Sequence, residues 1–265
     1  QSYHGSTHGA LSLLGSEHQK MGYRPLLPGT QFIQFNHLED LEKITTKTAA
    51  VLLETIQGGA GFILPKNDYL LKVKARCEEV GALLILDEIQ PGFGRTGKFF
   101  GFEHFGVKPD IVVMGKGMGG GLPIGAFSAS HQLMKVLEDQ PKLGHITTFG
   151  GNPVIAAASL ATLRELRDSK LLSQIASKEA LIRKELNHPS IKEIRGTGLM
   201  LAAMLENPEI TNQVVLKCIE KGLLLFWLLW EKKAVRITPP LTITEKEIKK
   251  GCALLRSVLD EVHGC

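Results

Sequence analysis

Long apolar runs are missing from this chain. The longest, residues 222–230, is too short to cross a bilayer, so no membrane partner is expected. A surplus of one charge is missing too: 31 basic and 27 acidic residues leave +4. No block of like charge interrupts them, which argues against a nucleic-acid binder held by electrostatics. Cysteine is scarce. Cys77, Cys218, Cys252 and Cys265 form no CxxC pair and show no metal-ligand spacing, so no metal site is expected. Cys77 and Cys218 fall among helix-like residues and read as small core fillers, reduced thiols of a cytoplasmic protein. Gly and Pro, at 28 and 12 of 265 residues, are too few for a disordered or collagen-like chain. The opening QSYHGSTHG has neither Met nor the composition of a leader. What is present is 43% apolar and long enough for one large domain or somewhat more, with a real core.

Apolar bursts alternate with helical patterns through the first half. AAVLL (residues 49–53) reads as a short buried strand running into Glu54 and a glycine-rich turn. Residues 68–80 have a helical period, with Asp68 placed to cap the helix and Gly81 to end it. ALLIL (82–86) is apolar on both faces, as in a parallel sheet covered on both sides, and DIVVM (110–114) is a third strand. Strand, helix, strand predicts α/β architecture with a mostly parallel sheet flanked by helices. Beyond Pro153 the chain turns helical to about residue 186. From Ile191 it reads as a smaller α+β unit: strand-like runs split by RGTG, a helix over 211–221, strands over 223–229 and 234–237, and a terminal helix over 244–262. A large domain over 1–165 and a small one over 166–265 are expected, the boundary falling within 155–190.

Ligands of open α/β sheets sit beyond the carboxyl ends of the strands. The first strand delivers Glu54 there, the second Asp87, Glu88, Ile89 and Gln90, the third Lys116 among glycines. A lysine so placed can lose water and become a nucleophilic amine; gripping a phosphate or snorkelling are its plainer alternatives. GKGMGGG does not match a phosphate-binding P-loop. Gly115, Gly117 and Gly120 satisfy GxGxxG formally, but Leu122-Pro123 follows where a dinucleotide site needs a helix. Asp87, ending an apolar strand, wants a cationic partner such as a pyridinium nitrogen, unless it caps the next turn.

Those residues carry a resemblance. The segment LLILDEIQPGFGRTGKFFGFEHFGVKPDIVVMGKGMGGGLPIGAF (83–127) resembles the cofactor-binding core of class III aminotransferases. These are fold-type I pyridoxal-phosphate enzymes that include the acetylornithine and ornithine aminotransferases. YHGST (3–7), ETIQGG (54–59), TTFGGNP (147–153), RGTGLM (195–200) and VRITPPL (235–241) follow the same pattern in order, so the likeness spans the chain. It implies that Lys116 bonds the pyridoxal 5'-phosphate aldehyde and shuttles the proton. Asp87 would pair with the ring nitrogen, Gln90 with the phenolic oxygen, and Ile89 and Tyr3 would cover the two ring faces. His4 joins the cofactor-binding residues one step behind. Thr148 would reach the phosphate of a neighbouring subunit, which makes the protein a homodimer with shared sites. Arg236, which alone would read as a surface ion pair, becomes the clamp on a substrate carboxylate. Glu54 and Arg95 match motif positions and are expected to be structural; His104 and His145 have no ligand spacing around them.

The implied reaction moves an amino group from an amino acid, acetylornithine- or ornithine-like or another amine, to a 2-oxo acid such as 2-oxoglutarate. A decarboxylase or aminomutase on the same scaffold is one alternative, and a non-catalytic fragment or binding subunit another. Two departures bear on the substrate. Gly59 stands where many ω-aminotransferases carry a Glu that pairs with the clamp arginine, and Ser6 where acetylornithine and ornithine enzymes usually carry an arginine. The resemblance also implies a phosphate-binding turn ahead of the YHGST motif. Nothing like it precedes Tyr3 here, so an incomplete phosphate cradle is expected.

Overall fold

The computed structural model describes residues 1–139, 141–142 and 145–263, so Cys265 lies outside the described residues. Two short helices, α1 (His8–Ser12) and α2 (Glu17–Lys20), lead through irregular chain with 3-10 turns at Met21–Tyr23 and Leu38–Lys43 into β1 (Ala50–Glu54). Then come α3 (Tyr69–Val80), β2 (Leu83–Asp87), β3 (Ile111–Gly115), β4 (Gly125–Ala129) and α4 (His131–Asp139). The first sheet has the order β1-β2-β3-β4, parallel through β3 and antiparallel at β4. Leu84 and Leu86 are wholly buried, as the two-sided apolar pattern requires. Helix α3 lays Tyr69, Leu70, Val73 and Cys77 on this sheet and stops at Gly81, whose left-handed φ of 80° lets Ala82 N–H bond the Cys77 carbonyl at 2.9 Å. Its start corrects the sequence reading. Asp68 adopts φ 58°, and its side chain makes no capping hydrogen bond.

The parallel register sets Glu54 beside Asp87, so two acids leave adjacent strands at one level. Strand β3 ends at Gly115, and Lys116–Gly119 forms a single 3-10 turn rather than the helix of a dinucleotide site. Helix α5 (Pro153–Asp168) packs on that turn, opened by the Asn152 side chain accepting from the N–H groups of Val154 and Ile155. Contact is close: a Cβ on Gly120, itself at φ 58°, would stand 2.3 Å from Thr162 Oγ1.

The second half is an antiparallel sheet of order β5-β6-β8-β7, built from β5 (Glu193–Thr197), β6 (Met200–Met204), β7 (Phe226–Trp227) and β8 (Ala234–Ile237). Helices α6 (Leu171–Glu185), α7 (Pro208–Glu220) and α8 (Glu245–His263) cover one face. The strand expected over 223–229 shrinks to two residues. Leu223 and Leu225 pack into the helical core instead, while Leu224 and Leu229 are exposed. All of β6 is buried because its two faces have different covers. Leu201 and Ala203 meet the helices, whereas Met200, Ala202 and Met204 meet Ile56 and Phe62 from the turn after β1. Arg236 pairs with Ala202 across the ladder, so it shares the face turned toward the first sheet. Arg95 ties the halves further: its guanidinium donates to the carbonyls of Leu199 and Pro239, and its own carbonyl accepts from Leu199 N–H at 2.9 Å.

Cys77, Cys218 and Cys252 are free and buried, and burial pushes each thiol up to about 11. Among the described residues no cluster of His, Cys, Asp and Glu could hold a metal ion, and no helix is long and apolar enough to cross a membrane.

Candidate active site

Beyond the ends of β1, β2 and β3 lie two adjoining cavities. The smaller, about 240 Å³, is lined by Tyr3, His4, Glu54, Asp87, Ile89, Gln90 and Lys116. The larger, about 820 Å³, shares Ile89, Gln90 and Lys116 and adds Arg95, Met200, Arg236 and Thr238. Residues from both ends of the chain thus meet around one amine.

Asp87 is 5% exposed and fully engaged. Oδ1 accepts from Ile89 N–H at 3.0 Å, and Oδ2 lies 2.9 Å from His4 Nδ1. Glu54 is equally buried, its Oε1 accepting from Tyr3 N–H at 3.0 Å and its Oε2 from Gly58 N–H at 2.8 Å. This single carboxylate therefore docks the YHGST segment onto the turn after β1. Gln90 lies against the same turn, its Nε2 only 2.3 Å from where a Cβ on Gly58 would stand.

Lys116 has φ 43°, a left-handed conformation that costs a side-chain-bearing residue about 1–3 kcal/mol. Its side chain opens into the cavities, and the described residues give its amine no hydrogen bond or ion pair. Desolvation pushes the ammonium below the usual lysine range; Asp87 and Glu54 oppose the shift and Arg236 adds to it. Arg236 lies farther along the larger cavity. Its Nε donates to Thr238 Oγ1 at 3.1 Å, and no described carboxylate comes within ion-pair reach. Burial lowers its pKa, as it lowers that of Arg95, on which Arg236 also acts. Thr148 stands apart, on an exposed stretch that lines neither cavity.

Two neighbours of these residues support the site: the sequence places Glu88 at this strand end without giving it a role, and does not single out Trp230. Glu88, wholly buried, accepts from Thr55 Oγ1 at 2.5 Å, Gly101 N–H at 2.7 Å and Phe102 N–H at 2.9 Å, and so ties the start of the 101–105 turn to the end of β2. An acid directly after the strand-end Asp was the available signal. Trp230 packs its ring near Tyr3, and only its place at the end of the apolar 222–230 run marked it.

The buried acids predict how stability follows pH. Burial outweighs the donors around Glu54 and Glu88 and raises each from 4.5 to about 7. A carboxyl whose folded pKa exceeds its unfolded one binds its proton more tightly in the fold. The stabilisation is therefore complete below about 4.5 and is lost as pH climbs through about 7. At about 1.4 kcal/mol per pKa unit, each group contributes on the order of 3 kcal/mol of that decline. Urea midpoints measured from pH 5 to 8 should fall with pH, and Glu88→Gln should remove about half of the fall. A Glu88→Gln variant with the parent's slope would show that Glu88 does not titrate in this window.

Comparison with known proteins gives a consistent result. The family model described as Aminotransferase class-III matches residues 1–259. The acetylornithine aminotransferase of Caldanaerobacter subterraneus subsp. tengcongensis is 41% identical over 271 residues, covering 99% of this chain and 66% of that protein. The putrescine aminotransferase of Pectobacterium atrosepticum is 40% identical, over 99% of this chain and 59% of the relative. The chain thus spans 59–66% of the length of these curated relatives. Among solved structures, the ornithine aminotransferase of Toxoplasma gondii superposes with a TM-score of 0.91 at 33% identity, over 100% of this chain and 64% of that one. A second structure of that enzyme, with a TM-score of 0.90 and 34% identity, has partial occupancy of PLP at its active site and covers 99% of this chain and 63% of its own.

Proposed function

The chain belongs to the class III aminotransferases, and from that membership we propose that it serves a pyridoxal-phosphate-dependent transfer of an amino group from an amino acid to a 2-oxo acid. Its fold is the fold type I of the enzymes it matches. One observation carries the reading: the Lys116 amine, without a hydrogen-bond or ion-pair partner among the described residues, opens into the same small cavity as the buried, doubly anchored Asp87 carboxylate.

The residues of that cavity suit the ring of the cofactor. A buried carboxylate suits a pyridinium N–H, the Gln90 amide in the cavity wall suits an oxygen acceptor, and Ile89 and Tyr3 offer apolar and aromatic cover. When bound, pyridoxal phosphate supplies an aldehyde carbon that receives the amino group and a ring that delocalises an electron pair. The protein's part is to bind and to move protons. Asp87, oriented by Ile89 N–H and His4, would hold the ring nitrogen and favour its protonated form. Lys116 Nζ, lowered in pKa by desolvation, would be the amine that holds the aldehyde and the base that moves a proton at the substrate carbon. Arg236, lacking an acidic partner among the described residues, is free to take a substrate carboxylate with two parallel hydrogen bonds.

The donor is an acetylornithine- or ornithine-like amino acid or another amine, and the acceptor a 2-oxo acid such as 2-oxoglutarate. The exposure of Thr148 supports a role in trans, at the phosphate of a second subunit, and hence a homodimer. The packing of α5 on the Lys116 turn and of α6 on α8 supports a large cofactor-binding domain that ends between these two helices. Free buried thiols suit a reducing, cytoplasmic setting.

The test is covalent trapping. The chain incubated with pyridoxal phosphate should absorb as a protein-bound imine, and borohydride followed by peptide mapping should leave the reduced adduct on Lys116. A donor screen with 2-oxoglutarate should then yield glutamate without release of CO₂. No adduct, or an adduct on another lysine, would overturn the assignment.

A further inference from the structure

We propose that Trp230 is a positioning residue for the aromatic wall of the cofactor cavity, acting through Tyr3; the proposal rests on the function proposed above. Trp230 lies between β7 and β8, six residues before Arg236. Its backbone N–H donates to the Gly59 carbonyl at 3.0 Å, and Glu231 N–H reaches the same oxygen at 3.4 Å. The indole crosses directly over Gly59: Cζ3 and Cε3 stand 2.6 and 2.7 Å from where a Cβ would be. Glycine serves close approach here, and any larger residue would have to push the ring away.

On its other side the indole meets Tyr3, with ring centroids 6.3 Å apart and planes tilted by 57°. Tilted aromatic pairs at this range contribute about 0.5–1.5 kcal/mol beyond their buried area. The Trp230 indole N–H is buried and finds no acceptor among the described residues; packing against Gly59 and Tyr3 sets the ring's orientation.

Tyr3 is therefore gripped twice. Glu54, from β1, accepts from the backbone N–H groups of both Tyr3 and Gly58, and Trp230, from the loop between β7 and β8, packs on the Tyr3 ring while its own N–H bonds the Gly59 carbonyl. The strand that follows the Trp230 loop also carries Arg236. The wall of the cofactor cavity and the substrate clamp are thereby fixed by one element, and a shift of the second sheet against the first would move both.

The readout is cofactor affinity, measured by absorbance titration with pyridoxal phosphate. A Trp227→Phe background makes Trp230 the sole indole, since the chain has two Trp. Its emission should be quenched as pyridoxal phosphate binds. Trp230→Leu should weaken binding by about tenfold, and Tyr3→Leu by a similar factor. The double variant should lose little more than either single one, because Trp230 acts through Tyr3. Gly59→Ala, which displaces the ring from the opposite side, should reproduce the loss in the parent and cost nothing further when combined with Trp230→Leu; it reads the same contact if Trp230→Leu folds poorly. Parent-like affinity in both Trp230→Leu and Gly59→Ala, or fully additive losses with Tyr3→Leu, would overturn the proposal while the functional reading stands. A parent chain that takes up no pyridoxal phosphate would overturn both.

Discussion

Lys116→Ala should abolish the borohydride-trapped adduct and lower amino-group transfer by about 10²–10⁴-fold or more, the usual contribution of a positioned proton-transfer group with covalent attachment lost besides. No other primary amine lines either cavity among the described residues, so a neighbouring lysine cannot take over. Cofactor should still bind, less tightly, because Asp87, Gln90, Ile89 and Tyr3 remain. The fold should also survive. Alanine tolerates φ 43° no worse than lysine, and the amine makes no hydrogen bond among the described residues whose loss would be felt. Lys116→Arg sharpens the experiment. It keeps a cation beside Asp87 but, as a guanidinium that stays protonated, offers no free amine at neutral pH. If charge were the requirement, the Arg variant would retain activity; if an unprotonated amine is, both variants fall together. Rates with a donor amine and intact mass after reduction separate the two, and a Lys116→Ala variant that still forms the adduct would remove Lys116 from the mechanism.

Much of this arrangement was legible before any coordinates. Strands β1 to β3 announce themselves because a parallel strand buried on both faces must be apolar throughout, and such short runs end where polar residues meet a ligand. That logic alone placed Glu54, Asp87, Gln90 and Lys116 at one end of the sheet. Strand β4 stayed hidden because GAFSA, small and largely exposed, carries neither alternation nor a continuous apolar run. The 223–229 run misled for the opposite reason: leucines that cover a helical core look the same as leucines in a sheet. Asp68 looked like a cap by position, yet its left-handed backbone leaves its side chain without a capping bond. Tyr3 and His4 lie more than 80 residues from Asp87 in sequence, and no spacing rule joins them to it. Only likeness to a family did so. Trp230 escaped even that, because the close approach that makes it matter depends on the absence of a side chain at Gly59.

Asp87→Asn tests the other half of the chemistry. The substitution changes little in shape: one side-chain oxygen can still accept from Ile89 N–H, and the amide can face His4 with the imidazole tautomer reversed. What disappears is the charge. A neutral amide does not hold a proton on the ring nitrogen, so turnover should drop by about 10²–10³-fold, the scale seen when one electrostatic stabiliser of a transition state is removed. Cofactor should remain attached to Lys116, and that separates this variant from the lysine ones. A second effect follows from the position of Asp87 beside the amine. Its carboxylate pulls the Lys116 pKa up against desolvation, so removing the charge should let the pKa fall further. The amine is then unprotonated at lower pH, and adduct formation with pyridoxal phosphate, followed against pH, should begin at lower pH in the Asp87→Asn variant than in the parent. Asp87→Glu would keep the charge but force an extra methylene into a site where both oxygens are already committed, so it should regain the parent's pH profile without full turnover. An Asp87→Asn variant with the parent's turnover would mean that the ring nitrogen needs no anion. The buried carboxylate would then serve only to hold His4 and Ile89 in place.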